Sequence, residues 1–170
     1  MPKKVLSVLV DNHTGVLARV ASLFCQRGFN IDSLTVSTTN HPETSRITIV
    51  ASGDDETTYN QIMKQTAKLI ETQAIFPLNP SESLFRELLL VKLCADETNR
   101  GAIREIAEIY RAKIIDLSVS SMVLELTGEP DKIDGFLDVL STYEILEMCR
   151  TGVTALERGW KKDPPHTPAR

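Results

Sequence analysis

Residues 11–36 read DNHTGVLARVASLFCQRGFNIDSLTV, and the changes of period within them decide the fold. An apolar run, 5–10, breaks at Asp11-Asn12-His13-Thr14-Gly15. Leu17, Val20, Ala21 and Phe24 then recur at helical spacing, with Arg19, Gln26 and Arg27 away from that stripe. Asp11, Asn12 or Thr14 is expected to cap the helix start, and Gly28 to end it in the left-handed conformation. Leu34 and Val36 alternate with Ser33, Thr35 and Ser37 as a second strand. Ile31 is out of phase with that alternation, which predicts a turn or bulge over 29–32.

The pattern extends in both directions. Leu6, Val8 and Val10 share one face of the first run and Val5 and Leu9 the other, as in a strand central to its sheet. Asn40-His41-Pro42-Glu43 reads as a hairpin connection to a third strand carrying Ile47, Ile49 and Ala51. Gly53-Asp54-Asp55 turns into a helix with Tyr59, Ile62, Met63, Leu69 and Ile70 on its face. A short fourth strand over 73–78 ends at Asn79-Pro80-Ser81. The order is β-α-β-β-α-β.

The same order then recurs: a strand over 87–95, a helix face of Ile103, Ile106, Ala107 and Tyr110, and a hairpin of 113–119 with 122–127. Ile133, Phe136, Leu137 and Leu140 mark a second helix face before a closing strand over 144–150. Gly15, Leu17, Val20 and Phe24 fall on Gly101, Ile103, Ile106 and Tyr110 at one constant offset, which reads as internal duplication. The expected fold is α+β: two tandem ferredoxin-like βαββαβ domains, each an antiparallel sheet with helices on one face. The expected boundaries are a domain at 1–79, a Pro- and Ser-containing linker at 80–84, and a second domain at 85–159. The tail 160–170 holds Pro164, Pro165 and Pro168 and is expected to be disordered.

A chain of 170 residues with 42% hydrophobic and 25% charged residues can build ordinary cores. Its formal net charge of −4 argues against binding nucleic acid through phosphate neutralisation. No apolar run approaches the roughly 20 residues that span a bilayer, so no membrane role is expected. Met1-Pro2-Lys3-Lys4 leads directly into a strand, so neither a signal nor a transit peptide is expected, and the cytoplasm is the expected location. Cys25, Cys94 and Cys149 are odd in number, far apart and set in apolar runs, which predicts buried reduced thiols.

The first turn is the leading candidate for chemistry. It sets the free N–H groups of a helix N-terminus beside Asn12 and Gly15, an arrangement suited to a small carboxylate; a plain capped helix is the alternative. At the places of Asn12 and Asn30 the second half carries Thr98 and Asp116. A fold that needed Asn at these turns would show it twice, and Asp116 would repel a carboxylate, so the first half is the half expected to bind. His13, His41 and His166 have no partner at metal-ligand spacing, and His13 is expected to face solvent. No nucleophile-elbow, phosphate-loop or paired-carboxylate motif is present, and no catalytic residue is assigned. The third strand of each half lacks stacking aromatics, against an RNA-binding sheet.

Leu6-Ser7-Val8 running into Asn12-x-x-Gly15-Val16-Leu17-x-Arg19-Val20 resembles an ACT domain, the ferredoxin-like module that binds amino acids. The stretch from Phe24 through Arg27-Gly28-Phe29-Asn30-Ile31-Asp32-Ser33-Leu34-Thr35-Val36 is similar to the small, regulatory subunits of acetolactate synthase (acetohydroxyacid synthase). So are Ser45-Arg46-Ile47-Thr48, Arg86-Glu87-Leu88-x-Leu90-Val91-Lys92 and Ile114-Ile115-Asp116. Phe76-Pro77-Leu78-Asn79-Pro80 departs from the family pattern, which predicts a short or bent fourth strand.

The resemblance implies ACT domains paired side by side in a homodimer, with the effector at the interface. One wall would be Asn12, His13, Thr14, Gly15, Val16 and Leu17 of one chain, the other Asn30 and Ile31 of its partner. Gly15 and Val16 N–H groups would hold the carboxylate of a branched-chain amino acid, usually valine. Asn12 and Asn30 would make polar contacts and Ile31 would receive the side chain. The second half would bind the catalytic subunit, a transferase. Thiamine diphosphate, Mg²⁺ and FAD would belong to that subunit, with no cofactor or metal in this chain. Other readings are an ACT-type regulator of a different biosynthetic enzyme, a small ferredoxin-like phosphatase, and an assembly subunit without a ligand.

Overall fold

The computed structural model describes residues 3–52 and 56–159. The expected Gly53-Asp54-Asp55 turn and the tail 160–170, with His166, lie outside the described residues. The chain divides into two units: the described residues up to Leu84 with those from Val153 onward, and Phe85–Gly152.

In the first unit, β1 (Lys3–Asp11), α1 (Val16–Gln26), β2 (Asn30–Thr38), β3 (Thr44–Ser52), α2 (Glu56–Thr66) and β4 (Thr72–Pro77) follow the βαββαβ order. The sheet order is β2-β3-β1-β4, with all pairings antiparallel. The strand apolar on both faces, β1, is central, because only there does each side chain find cover on either side. Leu6, Val8, Val10, Ile47, Ile49 and Ala51 turn toward the helices and meet Val16, Val20, Phe24, Tyr59 and Ile62. Burying such side chains contributes about 1.5–3 kcal/mol each. The opposite face is also closed: Ser7, Thr48 and Val50 are buried.

The end of α1 is a Schellman turn. Gly28, at φ 73°, donates to Cys25 O, and Phe29 N reaches back to Phe24 O at 3.1 Å. The second strand starts at once, and its register with β3 shifts between Ile31 and Ser33, so the out-of-phase residue marks a bulge at Asp32. The fourth strand is short, with six residues and a register shift against Leu9 and Val10.

The second unit contains most of β5 (Ser83–Cys94), then α3 (Arg100–Tyr110), β6 (Lys113–Leu117), β7 (Ser121–Gly128), α4 (Pro130–Leu140) and β8 (Ile145–Arg150). Its strand order, β6-β7-β5-β8, repeats that of the first. The core of Leu89, Val91, Leu93, Met122, Leu124 and Leu126 packs on Ile103, Ala107, Ile133, Phe136 and Leu140. Glu87 is buried, and Arg150 neutralises it while its Nη1 reaches Asp134 of α4 at 2.6 Å.

A last strand, β9 (Thr154–Glu157), is a departure from the expected plan. By its contacts it groups with the first unit. Val153 N donates to Ser33 Oγ at 3.0 Å and Arg158 N to Glu82 O at 2.7 Å. Val153 and Ala155 are buried there.

The cysteines also depart. Cys25 and Cys149 are exposed and Cys94 is half-buried, all as free thiols. Helix α1 buries Val16, Val20 and Phe24, and Cys25 lies about 100° round from Phe24. Cys149 pairs with Leu90, on the sheet face away from the helices.

Candidate functional site

The turn between β1 and α1 is open. Asn12, His13, Thr14 and Gly15 are exposed, Val16 is buried, and Leu17 is 41% exposed. The helical stripe facing the core is therefore Val16, Val20 and Phe24; Leu17, expected on it, turns outward instead. No side chain caps α1, contrary to expectation. Asp11 is engaged elsewhere, accepting from Gln73 Nε2 at 2.7 Å, and Asn12 donates its Nδ2 to Pro42 O at 2.9 Å. The N-cap is Gly15, at φ 90° and ψ −14°, a conformation that costs residues with a Cβ and suits glycine. A Cβ there would meet nothing within 4 Å. The first helical N–H turned back into the turn is that of Arg19, to Gly15 O at 3.1 Å. The N–H groups ahead of it form the positive end of the helix, with no side-chain cap on them among the described residues.

Asn12 is held twice by the β2–β3 hairpin, since its backbone N–H also donates to Glu43 O at 2.7 Å. With Nδ2 committed, its Oδ1 is the atom left to accept from an ammonium group. His13 is exposed, its Nδ1 3.3 Å from Thr14 O.

Asn30 and Ile31 begin β2. Asn30 is exposed and donates Nδ2 to Asp32 Oδ1 at 2.7 Å; Ser52 donates its Oγ to Asp32 Oδ2 at 2.6 Å. The bulge thus fixes the Asn30 amide. Ile31 is half-buried against the core. Asn30 pairs with Ser52, which pairs with Lys3, whereas Asp11 pairs with Thr44 at the other end of the sheet. The nine residues of β1 separate the two places by roughly 27 Å. Within one chain the two groups of predicted residues do not come together. The outer side of β2 carries no strand among the described residues.

The second unit's turn differs in its chemistry. Helix boundaries equate Gly15 with Asn99, the N-cap of α3, rather than with Gly101, which lies inside that helix. Asn12 then corresponds to Asp96 rather than Thr98. The left-handed residues after the helices, Gly28 and Arg111 (φ 59°), and the starts and bulges of β2 and β6 make Asn30 correspond to Lys113 rather than Asp116. Asp96 fills its own turn: its Oδ1 accepts from Thr98 N at 2.7 Å, Thr98 Oγ1 at 2.6 Å and Asn99 N at 3.2 Å. These bonds, those of the Thr98 hydroxyl first, hold the Asp96 carboxyl below its ordinary range. An internal carboxylate thus takes the N–H groups of Thr98 and Asn99, whose counterparts Thr14 and Gly15 carry no side-chain cap among the described residues.

Residues 86–159 match the family described as the small subunit of acetolactate synthase, and residues 6–74 the AHAS small subunit-like ACT domain. The chain is 48% identical, over 94% of its length and 99% of the relative's, to a probable acetolactate synthase small subunit of Archaeoglobus fulgidus. This chain belongs to the acetolactate synthase small-subunit family. The acetolactate synthase small subunit of Mycolicibacterium smegmatis is 46% identical over 93% of this chain and 92% of its own. A crystal structure of the acetolactate synthase small subunit from Thermotoga maritima superposes with a TM-score of 0.86 at 39% identity, covering 95% of this chain and 99% of that one.

Sequence reasoning missed the residues that hold the candidate residues in place. Asp32 fixes Asn30, Pro42 and Glu43 fix Asn12, and Glu71 and Gln73 fix Asp11. Asp32, two residues beyond Asn30, carried a local signal; the others are long-range. Among the described residues no three His, Cys, Asp or Glu side chains gather as metal ligands, and no helix is long and apolar enough to cross a membrane.

Proposed function

We propose that this chain is the regulatory partner of a catalytic acetolactate synthase subunit, working in the cytoplasm on the branched-chain amino acid pathway. It binds valine, raises the activity of the catalytic chain and makes it sensitive to feedback inhibition. The observation that carries this reading is the contrast between the turns: the first presents an open helix N-terminus beside a fixed Asn12, while Asp96 closes the second.

In this reading Gly15 and Val16 N–H groups take the valine carboxylate, Asn12 Oδ1 accepts from its ammonium, and His13, Thr14 and Leu17 line the approach. Asn30 and Ile31 come from a second chain. The distance between Asn12 and Asn30 along one sheet supports this, as does the open outer side of β2, which an antiparallel copy of itself can extend. Phe85–Gly152 engages the catalytic chain, which carries the thiamine diphosphate, Mg²⁺ and FAD. Inhibition requires valine to favour one state of the complex over the other.

The test is to mix the protein with its catalytic subunit and measure acetolactate formation with and without valine. Activity is expected to rise on mixing and fall on adding valine. A rise that valine leaves untouched contradicts the effector reading.

A further inference from the structure

Glu71 lies in the α2–β4 connection and is 5% exposed, yet both its polar ends point at the β1–α1 turn. Its backbone oxygen accepts from Asp11 N at 2.9 Å, immediately before the turn. Its carboxylate is ion-paired through Oε1 with Arg19, immediately after it. Residues 12–17, one whole wall of the proposed site, lie between these anchors. Asn12 is also tied to Pro42 and Glu43, but those ties reach only the leading end. Glu71 is the residue that holds both.

The pair is buried at its acid end and 63% exposed at Arg19. Glu71 Oε2 is buried without a hydrogen-bond donor from the described residues, so Arg19 alone balances the acid. A buried charge that loses its partner is destabilising, which favours the position in which Arg19 reaches it. The helix start between the anchors has no side-chain cap and a glycine at φ 90°. Without an outside tie such a first turn frays, and its N–H groups stop converging on one point.

We propose that Glu71 is a positioning residue for the effector site: acting through Arg19 and Asp11, it holds the turn's N–H groups in carboxylate-binding geometry before the ligand arrives. This rests on the effector reading above. Preorganisation of this kind shows in affinity, because the ligand does not have to order the turn as it binds. Arg19 serves as the far end of the clamp, not as a ligand group.

The experiment measures valine inhibition of the reconstituted holoenzyme for Glu71→Gln, Arg19→Gln and the double variant. Glu71→Gln keeps the shape and the backbone tie to Asp11 and removes the charge. The half-inhibitory valine concentration is expected to rise about tenfold, the scale of one charge-assisted hydrogen bond, with valine-free activation unchanged. Arg19→Gln, which leaves the Glu71 charge buried and unpaired, should raise it at least as much, and the double variant no more than Arg19→Gln alone. Unchanged valine sensitivity, loss of activation in step with sensitivity, or a double variant whose shift is the sum of the two single shifts would each overturn the proposal. If the unaltered protein shows no valine response, the effector reading fails instead. The clamp is then judged by amide exchange, where Glu71→Gln should speed exchange at Arg19, whose N–H bonds Gly15 O, and leave Asp11 protected; unchanged exchange at Arg19 overturns it.

Discussion

Val153 donates its backbone N–H to the hydroxyl of Ser33 at 3.0 Å, joining residues 120 positions apart. Ser33 follows the bulge that orients Asn30, so the segment returning from the second unit is fastened next to half of the proposed site. Ser33→Ala removes the acceptor and leaves the part-buried Val153 N–H unpaired. Stability should fall by about 1–3 kcal/mol in a urea titration, with faster exchange at the Val153 amide. Exchange at Val153 that stays slow would mean that the bond is not what holds β9.

Substitution at Gly15 separates charge from backbone conformation. Asn and Asp are nearly isosteric, and both tolerate the left-handed region better than other side chains. Each should cost about 1 kcal/mol of stability relative to glycine. Gly15→Asp also places a carboxylate where the ligand's own would sit, and should weaken valine binding by a further factor of about ten. Calorimetry on the two variants makes the comparison; equal affinities would place the carboxylate site elsewhere.

The second core can be damaged without touching the first turn. Phe136 is fully buried, with its ring 5.0 Å from that of Tyr110, and its loss leaves a cavity. Phe136→Ala should cost about 3–5 kcal/mol. With Phe85–Gly152 as the docking unit, activation of the catalytic chain should drop while valine binding persists. Loss of valine binding in a variant whose first unit remains folded would contradict this division of labour.

Alkaline pH provides a spectroscopic test of the first core. Burial, and secondarily the Glu56 carboxylate, push the Tyr59 phenol from an ordinary value near 10 up to about 12. The fold therefore favours the neutral phenol. The stability this contributes is fully present below pH 10 and is lost as the pH rises from there to about 12. Unfolding free energy should fall over that window, and Tyr59→Phe should fall less.

Much of this was legible in the chain because period changes are local. Alternation on both faces of β1, the helical stripe to Phe24, and the glycine at 28 follow from side-chain direction and steric freedom. The register of the duplication was not legible: Gly101 resembles Gly15 as a letter, but α3 starts at Arg100 and puts Asn99 in the cap. Asp96 therefore went unnoticed as the group that closes the second turn. Leu17 and Val16 were exchanged for a similar reason, since adjacent apolar residues both fit a stripe about 100° wide. Glu71 and Gln73 could not be found at all, because what they do depends on β4 lying beside β1. The four residues of β9 are too few to show a period.

The central claim is that Asn12 and Asn30 serve one site from two chains, and mixed dimers test it most directly. Asn12→Ala and Asn30→Ala variants should each bind valine weakly as pure proteins. In a mixed dimer, the unaltered Asn12 of one chain meets the unaltered Asn30 of the other, restoring one site and leaving its twin doubly impaired. After random exchange about a quarter of all sites should regain native affinity in a calorimetric titration. No recovery on mixing, with exchange confirmed by mass, would mean that the site does not form between chains.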